Sequence, residues 1–393
     1  MAIRNVTDRV QLLGTIDWDR RLFDALIPLP HGTSYNAYLV KGSQKSVLID
    51  TDDAGKEGEI LNQLETLPGL DYVVANHAEQ DHSGALPAVM GRFPEATLLC
   101  SEKAKSMLMD LLPLEEARIR TVKDGETLSL GDRTLEFIYT PWVHWPETMS
   151  TYLREEKILF SCDFFGSHLA TADTFVKDEN LVLSAAKRYY AEIMMPFRAP
   201  IVKNLERLDA FEIKMIAPSH GPIYNRPELI MDAYREWVTF PPKNQVIIPY
   251  ISMHHSTLQM VKRLEYRLRA KGIKVASYDL TATDVGELAM ALVDAATIIF
   301  GTPVMLGNAH PNLIYGALLA SALKPKALFA GFMVSYGWGA GTADKFPDLV
   351  PGLRVEWLPT VSVRGLPRED TLESVDALAE QIVEKHRAKG LIK

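Results

Sequence analysis

The rhythm of apolar runs changes once along this chain, at Pro241-Pro242-Lys243-Asn244, and that change divides what the sequence can fold into. The paired prolines end a helix-like stretch at 227–240, since proline lacks the amide donor and crowds the preceding turn. Before them, short apolar runs at 36–40, 46–50, 72–76, 134–140 and 157–163 stand close together, some joined by turn-like links such as Lys41-Gly42-Ser43. That spacing predicts hairpins and antiparallel pairing more than a strict βαβ alternation. Helical stretches fit at about 55–66, 84–93, 101–112 and 180–194, so the first half reads as an α+β unit with a helix-flanked pair of sheets. After the prolines, apolar runs at 245–250, 274–279, 296–301, 326–332 and 354–359 alternate with helical stretches near 256–271, 283–294, 310–323 and 372–389. Buried strands separated by helices predict an α/β doubly wound parallel sheet. Two domains are expected, 1–243 and 244–393, as a chain of 393 residues requires when one core serves roughly 100–200.

Composition excludes several classes. With 47% hydrophobic and 23% charged residues and no low-complexity tract, the chain is neither disordered nor fibrous. A net charge of -8 argues against nucleic acid as a partner. The opening MAIRNVTDRVQLLG is too polar for a signal peptide, and no segment approaches the roughly 20 apolar residues of a membrane span, so a cytoplasmic protein with no membrane partner is expected. Cys100 and Cys162 are the only cysteines and form no CxxC pair, which excludes a disulfide framework and a fused rubredoxin. A one-electron donor must then be a separate molecule.

The chemistry concentrates in Asn76-His77-Ala78-Glu79-Gln80-Asp81-His82-Ser83-Gly84, directly after the apolar run 72–75. Imidazoles and carboxylates without thiolates suit iron, manganese or zinc rather than a structural zinc knot. A merely solvated loop accounts poorly for four adjacent ligand-type side chains, which would repel one another or be costly to desolvate. His144, Asp163 and His220 follow at the ends of later strand-like runs. Alone, each histidine reads more readily as a packed or capping residue, and Asp163 could simply form a turn. Together with the loop they form a set too large for one tetrahedral ion and suited to two.

The order HxExDH, then His, Asp and His, resembles the metallo-β-lactamase-like domain of the flavodiiron proteins, or A-type flavoproteins, as do GTSYNAYLV (32–40), HWPETM (144–149) and RYYAEIMMPF (188–197). The resemblance implies a metallo-β-lactamase-like αββα sandwich. It also implies that His77, Glu79 and His144 hold one iron, that Asp81, His82 and His220 hold the other, and that Asp163 bridges them. Zinc hydrolases of that fold typically carry His where this chain has Glu79, and an oxygen donor there makes the site harder. Tyr189 and Trp145 match aromatic positions near the family's di-iron pocket. The chain departs from the family at Phe23-Asp24-Ala25, where many members read Phe-His-Gly.

In the second half, Ser252-Met253-His254-His255-Ser256-Thr257 stands between a strand and a helix, where hydroxyls and helix N-terminal amides cradle a phosphate or simply cap the helix. Two more loops follow later strands: Thr302-Pro303-Val304-Met305 with Gly307-Asn308, and Ser335-Tyr336-Gly337-Trp338-Gly339-Ala340-Gly341. All three resemble the FMN loops of flavodoxin-like domains, and the third those of the flavodiiron family in particular. Tyr336 or Trp338 would flank the isoalloxazine.

The resemblance implies an oxidoreductase that reduces dioxygen to water, nitric oxide to nitrous oxide, or both, at two non-haem irons fed by FMN. It further implies a separate donor, rubredoxin or a reduced deazaflavin, and a head-to-tail homodimer or tetramer. Two other classes compete: a zinc hydrolase of the metallo-β-lactamase fold fused to a flavodoxin-like domain, and an electron carrier whose metal site is only structural.

Overall fold

The computed structural model describes residues 3–339, 341 and 343–392; Ala340 of the third loop lies outside them. The chain forms two compact units, Met1–Tyr189 with Phe197–Val238, and Tyr190–Pro196 with Thr239–Lys393.

Besides a two-stranded ribbon of Leu22–Phe23 and Ile27–Pro28, the first unit contains two large sheets. One runs, in spatial order, Arg4–Asn5, Val10–Asp17, Thr33–Lys41, Ser46–Ile49, Tyr72–Ala75, Thr97–Ser101 and Ile119–Val122. The other runs Thr127–Ser129, Thr134–Tyr139, Met149–Leu153, Ile158–Cys162 and Met215–Pro218. Because successive strand residues point to opposite faces, each strand of the first sheet feeds two cores. Val40, Val47, Val74 and Leu99 meet Leu135, Phe137, Ile158 and Phe160 of the second sheet. Their neighbours Leu39, Leu48, Val73 and Leu98 pack with Ile60, Leu86, Val89, Ala104 and Leu108 of the covering helices Glu57–Gln63, Leu86–Arg92 and Glu102–Leu111. Burial on both faces explains why these strands read as unbroken apolar runs.

The predicted antiparallel pairing describes only part of the first sheet. Thr33–Lys41 and Ser46–Ile49 form the expected hairpin, but Ser46–Ile49, Tyr72–Ala75, Thr97–Ser101 and Ile119–Val122 lie parallel. Their connections carry helices long enough to return the chain to the same end of the sheet, which a tight turn does not do. The predicted helix 180–194 is α-helical over Glu179–Tyr189 and continues as a π-helical turn, Tyr190–Met194.

In the second unit, Lys274–Asp279, Lys243–Tyr250, Ala295–Met305, Phe329–Tyr336 and Glu356–Trp357 form a parallel sheet. In chain order that is 2-1-3-4-5, the flavodoxin-like arrangement, whose ligand crevice lies beyond the carboxyl ends of the strands. The predicted strand 354–359 is shorter, and a separate segment Val361–Arg364 pairs farther along Phe329–Tyr336. Among the described residues no helix is long and apolar enough to cross a membrane.

Candidate metal centre

The carboxyl ends of three strands deliver most of the ligand-type side chains. His77 stands two residues past Tyr72–Ala75, Asp163 directly follows Ile158–Cys162, and His220 lies two residues past Met215–Pro218. His144 enters from the loop before Met149–Leu153. Backbone ties fix these positions. Asn76 donates its amide and Nδ2 to Asp50 at 2.8 and 3.0 Å, and accepts from Thr151 Oγ1 at 2.8 Å, so both sheets hold the residue before His77. On the other side, Gly221 donates its amide to Ser34 Oγ, and His220 Nδ1 donates to the Ser34 carbonyl at 2.7 Å. Gly221 has φ +83°, and a Cβ there would lie 2.1 Å from Ser167 Oγ, so only glycine fits.

The seven side chains converge as two groups. His77, Glu79, His144 and Asp163 form one and Asp81, His82 and His220 the other, with the ligand atoms of each group within 4.8 Å of one another. In the first, Glu79 Oε2 lies 3.2 Å from His77 Nε2 and 3.0 Å from His144 Nε2, and Asp163 Oδ2 lies 3.4 Å from both nitrogens. Around the second, His82 Nε2 is 3.3 Å from Asp81 Oδ1 and 3.0 Å from Asp163 Oδ1, while His220 Nε2 is 3.2 Å from Asp81 Oδ2 and 3.3 Å from Asp163 Oδ1. Asp163 thus turns one oxygen to each group.

These separations test whether a metal fits. Metal–ligand bonds of about 2.1 Å, meeting at angles between right and tetrahedral, set neighbouring ligand atoms roughly 3.0–3.4 Å apart. The contacts fall in that range, yet several are not hydrogen bonds. Both oxygens of Asp81, Asp163 Oδ1 and both nitrogens of His82 are buried without a hydrogen-bond partner. Buried polar atoms that approach at bonding distance but miss hydrogen-bond angles are aimed at common points between them, as ligands of a cation are.

Electrostatics agree. Burial disfavours the charged imidazoles of His144 and His220, but their contacts with Asp163 and with Glu79 or Asp81 outweigh it, raising them to about 9 and about 10. Burial likewise works against the Asp163 carboxylate, which the surrounding histidines nevertheless hold well below the usual range. Without metal, protons do what a cation would do, so metal binding releases them. Cys162 also lies near His82 and Asp163. Burial, reinforced by the charges of Asp50 and Asp163, pushes its thiol well above the usual range, so it remains neutral and a poor ligand.

Tyr189 is buried, with its ring 4.8 Å from His168 and 5.8 Å from His220 between centroids. Trp145 stands edge-on to His77 at 5.0 Å. Asp24 has φ 48°, in the left-handed region, and partial burial of its carboxyl, with the charges of Glu79 and Asp81, raises it. Sequence reasoning missed His168, whose Nδ1 meets Thr33 Oγ1 at 2.9 Å and whose Nε2 is buried without a partner. It also assigned no role to Glu147, which touches His77. Their places a few residues after Asp163 and His144 were the available signals.

In the second unit, a cavity of about 330 Å³ opens between the three predicted loops. Ser252, Met253, His254, Ser256 and Thr257 line it with Pro303, Val304, Ser335, Tyr336, Gly337, Trp338 and the unpredicted Gly365. Thr257 Oγ1 and Ser335 Oγ, 2.9 Å apart, join two of the loops. The remaining predicted contacts lie outside this lining. Met305 pairs with Asn308 across a tight turn in which Leu306 and Gly307 have φ 52° and 79°, so that segment is occupied in a hairpin. Thr302 Oγ1 is engaged with the Pro303 carbonyl and the His310 amide. His255 is the left-handed N-cap of the helix Ser256–Ala270. Trp338 is 97% exposed and fills no core.

Comparison with known proteins extends this picture. Residues 33–221 match the model of the ODP family beta lactamase. The chain is 34% identical to the nitric oxide reductase of Moorella thermoacetica, covering 96% of this chain and 97% of the relative. It is 35% identical to the coenzyme F420H(2) oxidase of Methanothermobacter marburgensis, covering 87% and 89%. The solved rubredoxin oxygen:oxidoreductase of Desulfovibrio gigas superposes with a TM-score of 0.94 at 30% identity, covering 98% of this chain and 99% of that one.

Proposed function

This chain belongs to the flavodiiron proteins, the type A flavoproteins, and we infer that it is an oxidoreductase reducing dioxygen to water, nitric oxide to nitrous oxide, or both. Its cofactors are FMN and two non-haem irons. The observation that carries the metal assignment is the division of Asp163 between the two ligand groups. In this reading His77, Glu79 and His144 hold one iron, Asp81, His82 and His220 the other, and Asp163 serves both. When bound, the irons supply stored electrons and Lewis acidity, and the flavin supplies further electrons.

The chain's own residues prepare that chemistry. Glu79 contributes a hard anionic oxygen where a third imidazole would favour zinc. Burial, with the charge of Asp163, holds the Tyr189 phenol well above its usual range, so it offers a proton-bearing hydroxyl beside the pocket. Trp145 braces His77 edge-on. In the flavin domain, Ser252, Ser256 and Thr257 at the start of the helix Ser256–Ala270 suit a phosphate. Tyr336 and the exposed Trp338 suit the faces of a flat ring.

Four finer points belong to the same proposal. Residues 1–243 constitute the di-iron domain and 244–393 the FMN domain. Rubredoxin or a reduced deazaflavin supplies electrons, the protein works in the cytoplasm, and it assembles as a head-to-tail dimer, or a tetramer built from such dimers, with the flavin of one subunit serving the irons of another. Metal analysis with anaerobic reduction tests the central reading: about two irons and one FMN per chain, and a flavin bleached by reductant and restored by dioxygen or nitric oxide, are expected. Zinc without flavin overturns it. Stopped-flow reduction by each donor identifies the physiological class. Hybrid dimers that combine an FMN-loop variant with a metal-ligand variant should regain activity; no recovery in verified hybrids refutes the head-to-tail arrangement.

A further inference from the structure

We propose that Glu147 is a positioning residue that holds His77 in one tautomer and lends its negative charge to only one of the two metal positions. The proposal rests on the ligand assignment above. His77 Nδ1 and Glu147 Oε1 are 2.7 Å apart, and both side chains are 0% exposed. The same oxygen accepts the Ala78 amide at 3.0 Å. A carboxylate only accepts hydrogen bonds, so the proton between Glu147 and His77 resides on Nδ1. In the metal-free protein His77 Nε2 donates its own proton to Glu79 Oε2 at 3.2 Å and faces Asp163; a metal displaces that proton and takes the Nε2 lone pair, while the Nδ1 proton stays directed at Glu147.

The other histidines are held differently. His220 Nδ1 donates to the neutral carbonyl of Ser34, and His82 Nδ1 is buried without a partner. Among the described residues, His77 is the one ligand-type histidine whose Nδ1 is backed by a carboxylate. A hydrogen bond from an imidazole to a carboxylate orients the ring and raises its basicity as a ligand. The metal position of His77, Glu79 and His144 therefore receives more donor strength than that of Asp81, His82 and His220.

The setting of Glu147 explains why a charged residue is tolerated there. Its second oxygen, Oε2, is buried with no hydrogen-bond partner. A buried carboxylate so incompletely solvated needs a cation nearby, and the route to one runs through the His77 ring. The loop carrying it is closed by the Thr140 amide on the Thr148 carbonyl at 3.0 Å and by the Trp142 amide on the Trp145 carbonyl at 2.7 Å. Ser101 Oγ anchors the Glu147 carbonyl at 2.7 Å. One pinned loop thus provides His144 directly and grips His77 from behind.

Glu147→Gln tests this, because glutamine keeps the size and an acceptor but removes the charge. Ferrous iron would be titrated anaerobically into the metal-depleted full-length protein against a chelator, with Mössbauer spectra of isotope-enriched iron following each position. The expected result is a 10–100-fold loss of affinity at one position, a change in that position's spectrum alone and retained FMN. Unchanged affinity at both positions overturns the proposal, as does an equal loss at both with a lowered melting temperature, which marks a structural role. If the wild-type protein binds no pair of metals, the ligand assignment itself fails, which is a separate result. Should the variant not fold, nitrogen NMR of wild-type protein loaded with zinc(II) still decides: His77 protonated at Nδ1 is expected, and protonation at Nε2 overturns the proposal.

Discussion

Asp163→Asn is the substitution with the largest consequence, because one buried side chain faces both metal positions. Asparagine preserves size and one oxygen, removes the charge, and turns an amide donor toward nitrogens that present lone pairs to a metal. In the metal-free protein, Asp163 lies 3.0–3.4 Å from the Nε2 atoms of His77, His82, His144 and His220. At such a separation and an effective dielectric near 20, each charged contact is worth roughly 5 kcal/mol before desolvation is subtracted. Removing one partner of a buried ion pair leaves a net loss of about 3–5 kcal/mol. The carboxyl is held well below the usual range, so its stabilisation is complete above the unfolded carboxylate's pKa and is lost only as pH falls through the folded one. The full effect is therefore present at neutral pH. In the loaded protein, both positions also lose an anionic ligand. Purified Asp163→Asn should hold less than about half the wild-type iron with its full complement of FMN, and its chelator-treated form should unfold with a stability lower by about 3–5 kcal/mol. Metal analysis, flavin absorbance and guanidinium titration measure these together. Wild-type iron content with unchanged gas reduction would remove Asp163 from the centre, and iron loss confined to one position would refute its shared role.

Glu79→His replaces the hard oxygen with a neutral nitrogen, so iron retention and oxygen consumption should fall while zinc retention rises and chemical reduction of the flavin stays intact; unchanged oxygen consumption means Glu79 is not a ligand. His386 is buried in the second unit between Thr297 Oγ1 and Asn244 Oδ1, both at 2.8 Å, and burial lowers it from 6.5 to about 4. The unfolded chain then binds the extra proton, so that unit should lose roughly 2 kcal/mol as pH falls from 6.5 to 4, and His386→Phe should flatten this slope in urea titrations. A slope unaltered by the substitution assigns the acid sensitivity elsewhere. Ala25 sits at φ 53°, where a Cβ is unfavourable; Ala25→Gly should stabilise the first unit by about 1 kcal/mol, read as a higher denaturation midpoint, and a lower midpoint contradicts the strain argument.

Much of this protein is written locally. The run from His77 to His82 could be read because its ligand types are consecutive and follow an apolar strand, and Glu79 within it separates a harder site from an all-histidine one. The alternation after Pro241-Pro242 carried the second sheet, since buried parallel strands need neither face polar. Strand direction in the first sheet was not legible. Ser46–Ile49 and Tyr72–Ala75 are as apolar as hairpin partners would be, and their parallel pairing depends on where the intervening helix returns the chain. The grouping of ligands was equally hidden. His77 and His144, or Asp81 and His220, are far apart in sequence, and only two sheets packed through a common core bring their side chains to one end. The flavin loops illustrate the same division. Small and hydroxyl residues marked all three segments, but the backbone pairing of Met305 with Asn308 around the turn at Leu306-Gly307 is not revealed by composition. Sequence determined which chemical groups this protein possesses and in what order. The tertiary structure decided which of them meet, because distance and direction between side chains are set by packing across the sheets and not by spacing along the chain.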